Sequence, residues 1–279
     1  MMTQTNLAVQ SLLELIRNPL LPPVERAAAG RALAEVGDPR PGVGVRPDGV
    51  PEIDWVWFPA GEMSYQEGER VLLPSFCLAR YPVTVIQYQA FVEAEDGFGA
   101  AQWWHSLISR EESPTDQPCA CANHPREYVS WCAAIAFCRW LSHRLGRSIC
   151  LPTEQQWERA ARSGDGRRYP WGDRYASGCA NLNELPGGIG SCHLGRTAAV
   201  GLYPASDSPD GVCDLIGNVW EWCLNDFWDC EHTDLDGVGE RVMRGGSWSC
   251  AARDITACSR ELDLPDYGYG GVGFRVVGM

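Results

Sequence analysis

The stretch Asp214-Leu-Ile-Gly217-Asn-Val219-Trp-Glu221-Trp222 decides how this chain is read, together with Arg244-Gly-Gly-Ser-Trp248 and the closing Gly273-Phe-Arg275. Trp220, Trp222 and Trp248 fall inside these short segments, and large rigid rings at such density hold a scaffold together. The surrounding chain is heavily punctuated. It carries 30 Gly and 19 Pro in 279 residues without a collagen period, which calls for many turns and much irregular backbone. Beyond Arg162 turn signals recur every few residues, up to a final strand expected over 272–277.

Upstream, short strands are expected at 54–58, 71–73 and 76–78, each bounded by turn residues. Three helices are announced by their caps: Thr84 three before Gln87, Ser130 ahead of the stripe Ala134, Ile135, Cys138 and Leu141, and Thr153 three before Gln156. A few capped helices on short strands in a loop-rich chain is an α+β reading. The N-terminus differs in texture. Leu7, Leu12, Leu13, Leu15 and Ile16 form a helical stripe stopped at Asn18-Pro19, and an Ala-rich helix runs from Val24 to Val36, ended by Gly37-Asp38-Pro39. We therefore expect a helical hairpin over 1–44, a Gly/Pro-rich linker over 45–51 and one domain over 52–279.

Composition excludes several functions. All 23 basic residues are arginine against 36 acidic ones, for a net charge of −13. Without lysine there is no phosphate-loop lysine, no Schiff-base lysine and no kinase-type lysine. An acidic chain also lacks the basic face that nucleic acid demands. No run of 18 apolar residues suggests a membrane span, and the start has no signal-peptide pattern, so the default location is cytoplasmic. Thirteen irregularly spaced cysteines leave at least one free thiol. Cys119-Ala-Cys121-Ala-Asn-His124 has no matching second half, which favours plain thiols over zinc.

The order of motifs carries a resemblance. Trp57-Phe-Pro-Ala-Gly-Glu-Met63, Tyr81-Pro-Val-Thr84, Val129-Ser-Trp131, Leu151-Pro-Thr-Glu154, Tyr169-Pro-Trp-Gly172 and the three segments quoted first occur in sequence. This chain resembles the formylglycine-generating-enzyme (sulfatase-modifying factor) family, which implies a C-type lectin fold. The resemblance further implies a calcium loop, with Asp214 and Glu221 binding through carboxylates and Gly217 and Val219 through carbonyls, hard donors that suit the ion. The family's other calcium site would fall near Asn181 and Leu182, where its acidic ligand position is taken by Cys192. In the family's enzymes two cysteines after Gly-Gly-Ser bind copper(I). Cys250 stands at the first position, but the second is Ile255 and the nearest thiol is Cys258, so copper is not expected. Iron-dependent relatives draw histidines largely from an extra helical domain. The hairpin here has none, and His105, His124, His143, His193 and His232 are scattered.

The segment 249–271 carries the functional reading. Copper-free members often have asparagine-rich stretches here. This chain keeps their frame (Arg244 to Trp248, Ala252-Arg253, Arg260, Pro265-Asp266, Gly273-Phe-Arg275) yet holds no asparagine between Trp248 and Gly273. At the asparagine-type positions stand Ser249, Cys250, Ala251, Asp254, Ile255, Thr256, Ala257, Cys258, Ser259, Glu261, Leu262, Asp263, Leu264, Tyr267, Tyr269, Gly270 and Gly271. A fixed frame with altered contents resembles the variable proteins of diversity-generating retroelements, where AAC codons become NNC. All of these residues except Glu261 are encodable by NNC. Apart from Glu261 they are the expected ligand-binding residues, with Ile255, Leu262, Leu264, Tyr267 and Tyr269 forming an exposed apolar and aromatic patch. The expected protein is a non-catalytic binder of an unknown protein or cell-surface ligand. The alternatives are a copper oxidase using Cys250 and Cys258, or a structural module docked through its hairpin.

Overall fold

The computed structural model describes residues 4–278 apart from residues 67 and 119, so the Cys119 end of the thiol motif lies outside the described residues. Its centre is α4 (Trp131–Leu145), with ten of its 15 residues buried. Ser130 caps it by accepting from the Ala133 N–H at 3.0 Å, and Gly146 closes it in the left-handed conformation. Around α4 gather the rings of Tyr88, Phe91, Phe137, Trp140 and Phe274, with Phe91–Trp140 and Phe137–Phe274 centroids each 5.3 Å apart. Helices α3 (Val85–Glu93) and α5 (Glu154–Arg162) begin at Thr84 and Thr153, both in the expected capping boxes.

Three sheets surround this core among the described residues. Strands β1 (Trp55–Phe58), β4 (Phe76–Ala79), β10 (Val277–Gly278) and β5 (Ile149–Cys150) form one antiparallel sheet in that order. Strands β2 (Gly61–Tyr65) and β3 (Glu69–Leu73) form a hairpin. The third sheet runs β8 (Arg260–Asp263), β7 (Arg241–Arg244), β6 (Trp220–Asp226) and β9 (Val272–Gly273), with β6 and β9 parallel. The final strand expected over 272–277 is therefore two. Residues 272–273 close the third sheet and 277–278 enter the first, because Arg275 between them is pulled inward by Glu221.

The opening segment is the joint of the fold. Trp222 Nε1 donates to the Val129 carbonyl and Trp131 Nε1 to the Cys223 carbonyl, both at 2.8 Å, so β6 and α4 are laced in both directions. Arg275, fully buried, grips both Glu221 oxygens at 2.6 Å and donates to the carbonyls of Ala79, Arg80 and Cys213. One guanidinium thus fastens the chain end to two sheets and a loop.

Helices α1 (Gln4–Arg17) and α2 (Pro23–Val36) form the hairpin, which is not held at arm's length. Leu13, Ile16, Ala27 and Leu33 pack with Ala198, Leu202 and Tyr203 in a second apolar cluster. Arg26 adds a 2.6 Å bond to the Leu202 carbonyl. The 45–51 segment is tied down at its edges, since Gln87 Nε2 donates to the carbonyls of Gly42, Gly44 and Glu52. No helix among the described residues is long and apolar enough to cross a membrane.

Candidate functional site

The segment 249–271 leaves β7 through Gly245-Gly246, whose positive φ angles of 95° and 82° turn the chain sharply, and returns through Gly271 at φ 86°. Both ends are clasped by one carboxylate. Glu127 Oε2 accepts from Trp248 Nε1 at 2.9 Å and from the Gly271 N–H at 2.6 Å. Other frame residues are equally committed. Arg260 forms a fork to Glu154 at 2.7 and 2.9 Å, Ala252 is buried, and the Pro265 carbonyl accepts from Cys132 N–H at 3.0 Å in the first turn of α4. Beneath them Arg244, fully buried, pairs with Glu158 at 2.6 Å.

Within this frame the candidate residues divide by burial. Ser249, Asp254, Leu264, Tyr267 and Tyr269 are exposed, with Tyr267 at 61 %. Cys250, Ala251, Thr256, Cys258, Ser259, Leu262, Asp263 and Gly270 are half-buried. Ile255, Ala257 and Gly271 are buried, which corrects the expectation that they face solvent. The reasons are local. Ile255 packs onto Gly246, where an added Cβ would lie 2.9 Å from its side chain, and the Ala257 carbonyl accepts from Arg244 at 2.9 Å. Gly271 is fixed by its φ and by Ser247, 3.0 Å from where a Cβ would sit.

Cys250 and Cys258 have different neighbours. The Cys250 sulfur accepts from the Ser247 N–H at 3.3 Å and lies 3.4 Å from the Ser247 hydroxyl. Cys258 lies 4.0 Å from Glu158 Oε1, and burial together with that carboxylate pushes its thiol up, away from the thiolate that copper(I) requires. His124 is buried, meets the Thr197 hydroxyl at 3.2 Å and is lowered to about 4 by burial and by Arg31 and Arg196. Among the described residues no three His, Cys, Asp or Glu side chains are grouped to hold a metal.

The expected calcium loop follows an unusual backbone. Asp214, Gly217 and Asn218 have φ of 56°, 79° and 70°, and the Gly217 and Asn218 N–H groups bond to the carbonyls of Gly245 and Asn181. Asp214 is buried, and one of its oxygens accepts the Gly201 N–H at 2.6 Å. Burial raises its carboxyl to about 7, the charge of Asp207 adding to this and Arg275 opposing it. Among the described residues Asp214 is in no ion pair, and a cation would relieve its buried carboxylate, so Asp214 fits a hard-cation site. Glu221 fits less freely. Its Oε2 accepts from Trp157 and Arg275, leaving only Oε1, already bonded once to Arg275, with capacity to share.

Arranged this way, the loop-rich chain is a C-type-lectin-like domain whose buried tryptophan and arginine frame presents one short segment outward. It belongs to the sulfatase-modifying factor enzyme 1-like family, whose description matches residues 45–279. A hercynine oxygenase of Mycolicibacterium thermoresistibile is 31 % identical over 235 residues, covering 69 % of this chain and 48 % of that protein. A formylglycine-generating enzyme of Streptomyces coelicolor is 34 % identical over 195 residues, covering 63 % of this chain and 60 % of the enzyme. This chain thus spans about half to three-fifths of these two relatives. Among solved structures, Treponema denticola variable protein 1 superposes with a TM-score of 0.61 at 20 % identity, over 81 % of this chain and 95 % of that one, a likeness of fold.

Proposed function

We propose that this protein is a non-catalytic ligand binder in which the exposed part of 249–271 is a diversified recognition surface. The observation that carries this reading is the division of labour in the segment. The frame residues Trp248, Ala252, Arg260 and Pro265 are locked by the bonds and burial described above, while Leu264, Tyr267 and Tyr269 stand outside it. Side chains can vary at such positions with little cost to folding, and exposed aromatic rings suit recognition. A fold shared with a protein called a variable protein supports the reading. The test is deep sequencing of the gene's 3′ end across a population. Substitutions confined to exposed and half-buried codons of 249–271 support it; a uniform sequence, or changes spread along the gene, overturns it.

A second reading has relatives on its side, since the 34 % identical Streptomyces protein is a formylglycine-generating enzyme. It would place copper(I) between Cys250 and Cys258. Copper(I) titration with thiol quantitation separates the two readings, because only the oxidase needs a tight two-thiolate site.

Calcium belongs to this proposal as a structural ion, held by Asp214, the Gly217 and Val219 carbonyls and the shared Oε1 of Glu221. When bound it supplies positive charge to a buried carboxylate and braces the loop that leads into β6. A chelator should lower the melting temperature of the wild type and leave Asp214→Asn unmoved. Equal melting with and without chelator in both proteins removes calcium from the account.

A further inference from the structure

Strand β8 is the edge of its sheet: β7 pairs with it on one side, and among the described residues no strand pairs with it on the other. Alternate amides of an edge strand point outward. Here the Leu262 N–H donates to the Glu261 carboxylate at 3.2 Å and the Leu264 N–H to the Asp263 carboxylate at 2.8 Å, each capped by the side chain just before it. Such caps are short-range and half solvated, so they cover the edge without closing it. The apolar surface beside the edge is exposed: Leu264 at 46 %, Tyr267 at 61 % and Tyr269 at 36 %. Among the described residues none of Glu261, Asp263 and Asp266 is in an ion pair, and the one arginine of the strand, Arg260, is committed to Glu154. Nearby Trp228, 76 % exposed, lies in an acidic β6–β7 connection that Arg260 touches through the Phe227 carbonyl.

We infer that β8 is a docking edge for an extended peptide segment with alternating arginine or lysine side chains, which adds to the sheet as a fifth strand. The inference rests on the reading of 249–271 as a recognition surface and names the partner's chemistry. Cationic side chains draw the Glu261 and Asp263 carboxylates off their own backbone. The freed Leu262 and Leu264 amides then bond to the incoming strand, and the peptide's apolar positions lie on Leu264, Tyr267 and Tyr269. Charge chooses this occupant over a second copy of the chain, since edge-to-edge pairing would set Glu261 and Asp263 against their own kind. A chain of net charge −13 also steers a basic partner inward.

The experiment uses the whole chain and a fluorescent alternating Arg-Val peptide, with a Glu-Val peptide and an Arg-Val peptide N-methylated on alternate residues as controls. Anisotropy should show binding of the first alone, weakened at least about tenfold by Glu261→Gln with Asp263→Asn, and weakened by salt. Amide exchange at Leu262 and Leu264 should slow when the peptide is bound, a change that electrostatic adhesion elsewhere would not produce. Binding that survives N-methylation, or that leaves those amides unprotected, overturns strand addition, as does no binding of the Arg-Val peptide. Tyr267→Ala with Tyr269→Ala keeps the two ideas apart. If a ligand selected by display depends on the tyrosines but not on Glu261 and Asp263, the recognition surface stands and the edge inference fails. If Arg-Val binding ignores the tyrosines, the edge stands without that surface.

Discussion

At the scale of single residues, buried charge is the strongest determinant of behaviour in this domain. Arg275 and Glu221 are both almost wholly buried, and each leaves the other uncompensated if removed. Arg275→Met should cost about 3–5 kcal/mol in denaturant unfolding, with Glu221→Gln in the same chain recovering part of it. Recovery of nothing would mean that the carbonyl bonds of Arg275 outweigh the ion pair. Glu184 gives a pH prediction. Burial alone would raise its carboxyl, but Ser177, the Gly178 and Cys192 N–H groups and Tyr175 all donate to it and hold it below the usual range. A folded pKa below the unfolded one means the unfolded state binds more protons as the solution acidifies. The stability from Glu184 is therefore full above the ordinary carboxylate pKa and is lost as pH falls through the lowered value. Glu184→Gln should flatten the acid limb of the melting-temperature profile; an unchanged limb would remove Glu184 from it.

At the scale of elements, the segment 249–271 makes opposite predictions at neighbouring positions. Ile255→Ala empties a buried contact on Gly246 and should cost about 2–4 kcal/mol, whereas Tyr267→Ala should change stability by less than about 0.5 kcal/mol. Chemical denaturation of both variants checks this, and similar losses would deny the division between frame and surface. Helix caps were legible in the sequence, since Thr84, Ser130 and Thr153 each satisfy a backbone donor within three residues of themselves. Strands were less so. β2 and β8 have little apolar alternation, and β6–β9 are defined by partners far along the chain. Ile255 and Ala257 lie inside rather than on the surface, because codon logic says which side chains can occur and only packing says where they point.

At the scale of the whole molecule, the hairpin and the lectin-like domain share a cluster and should melt together. Leu33→Ala, fully buried between them, should lower a single calorimetric transition; a separate early transition would show an independent hairpin. Leu13, Ile16 and Leu33 of the hairpin pack on Leu202 and Tyr203 of the domain, while Leu7, Leu15 and Val24 stay exposed. The sequence by itself determined the fold family, the caps, the exclusion of lysine chemistry and the frame around 249–271, because these depend on residue type and order. Tertiary structure alone decided that Glu127 clasps both ends of that segment, that Cys250 and Cys258 have different neighbours, and that Glu221 already holds a cation in Arg275. Each of those depends on which side chains the fold sets beside one another. Only the folded backbone sets which atoms come within hydrogen-bond reach.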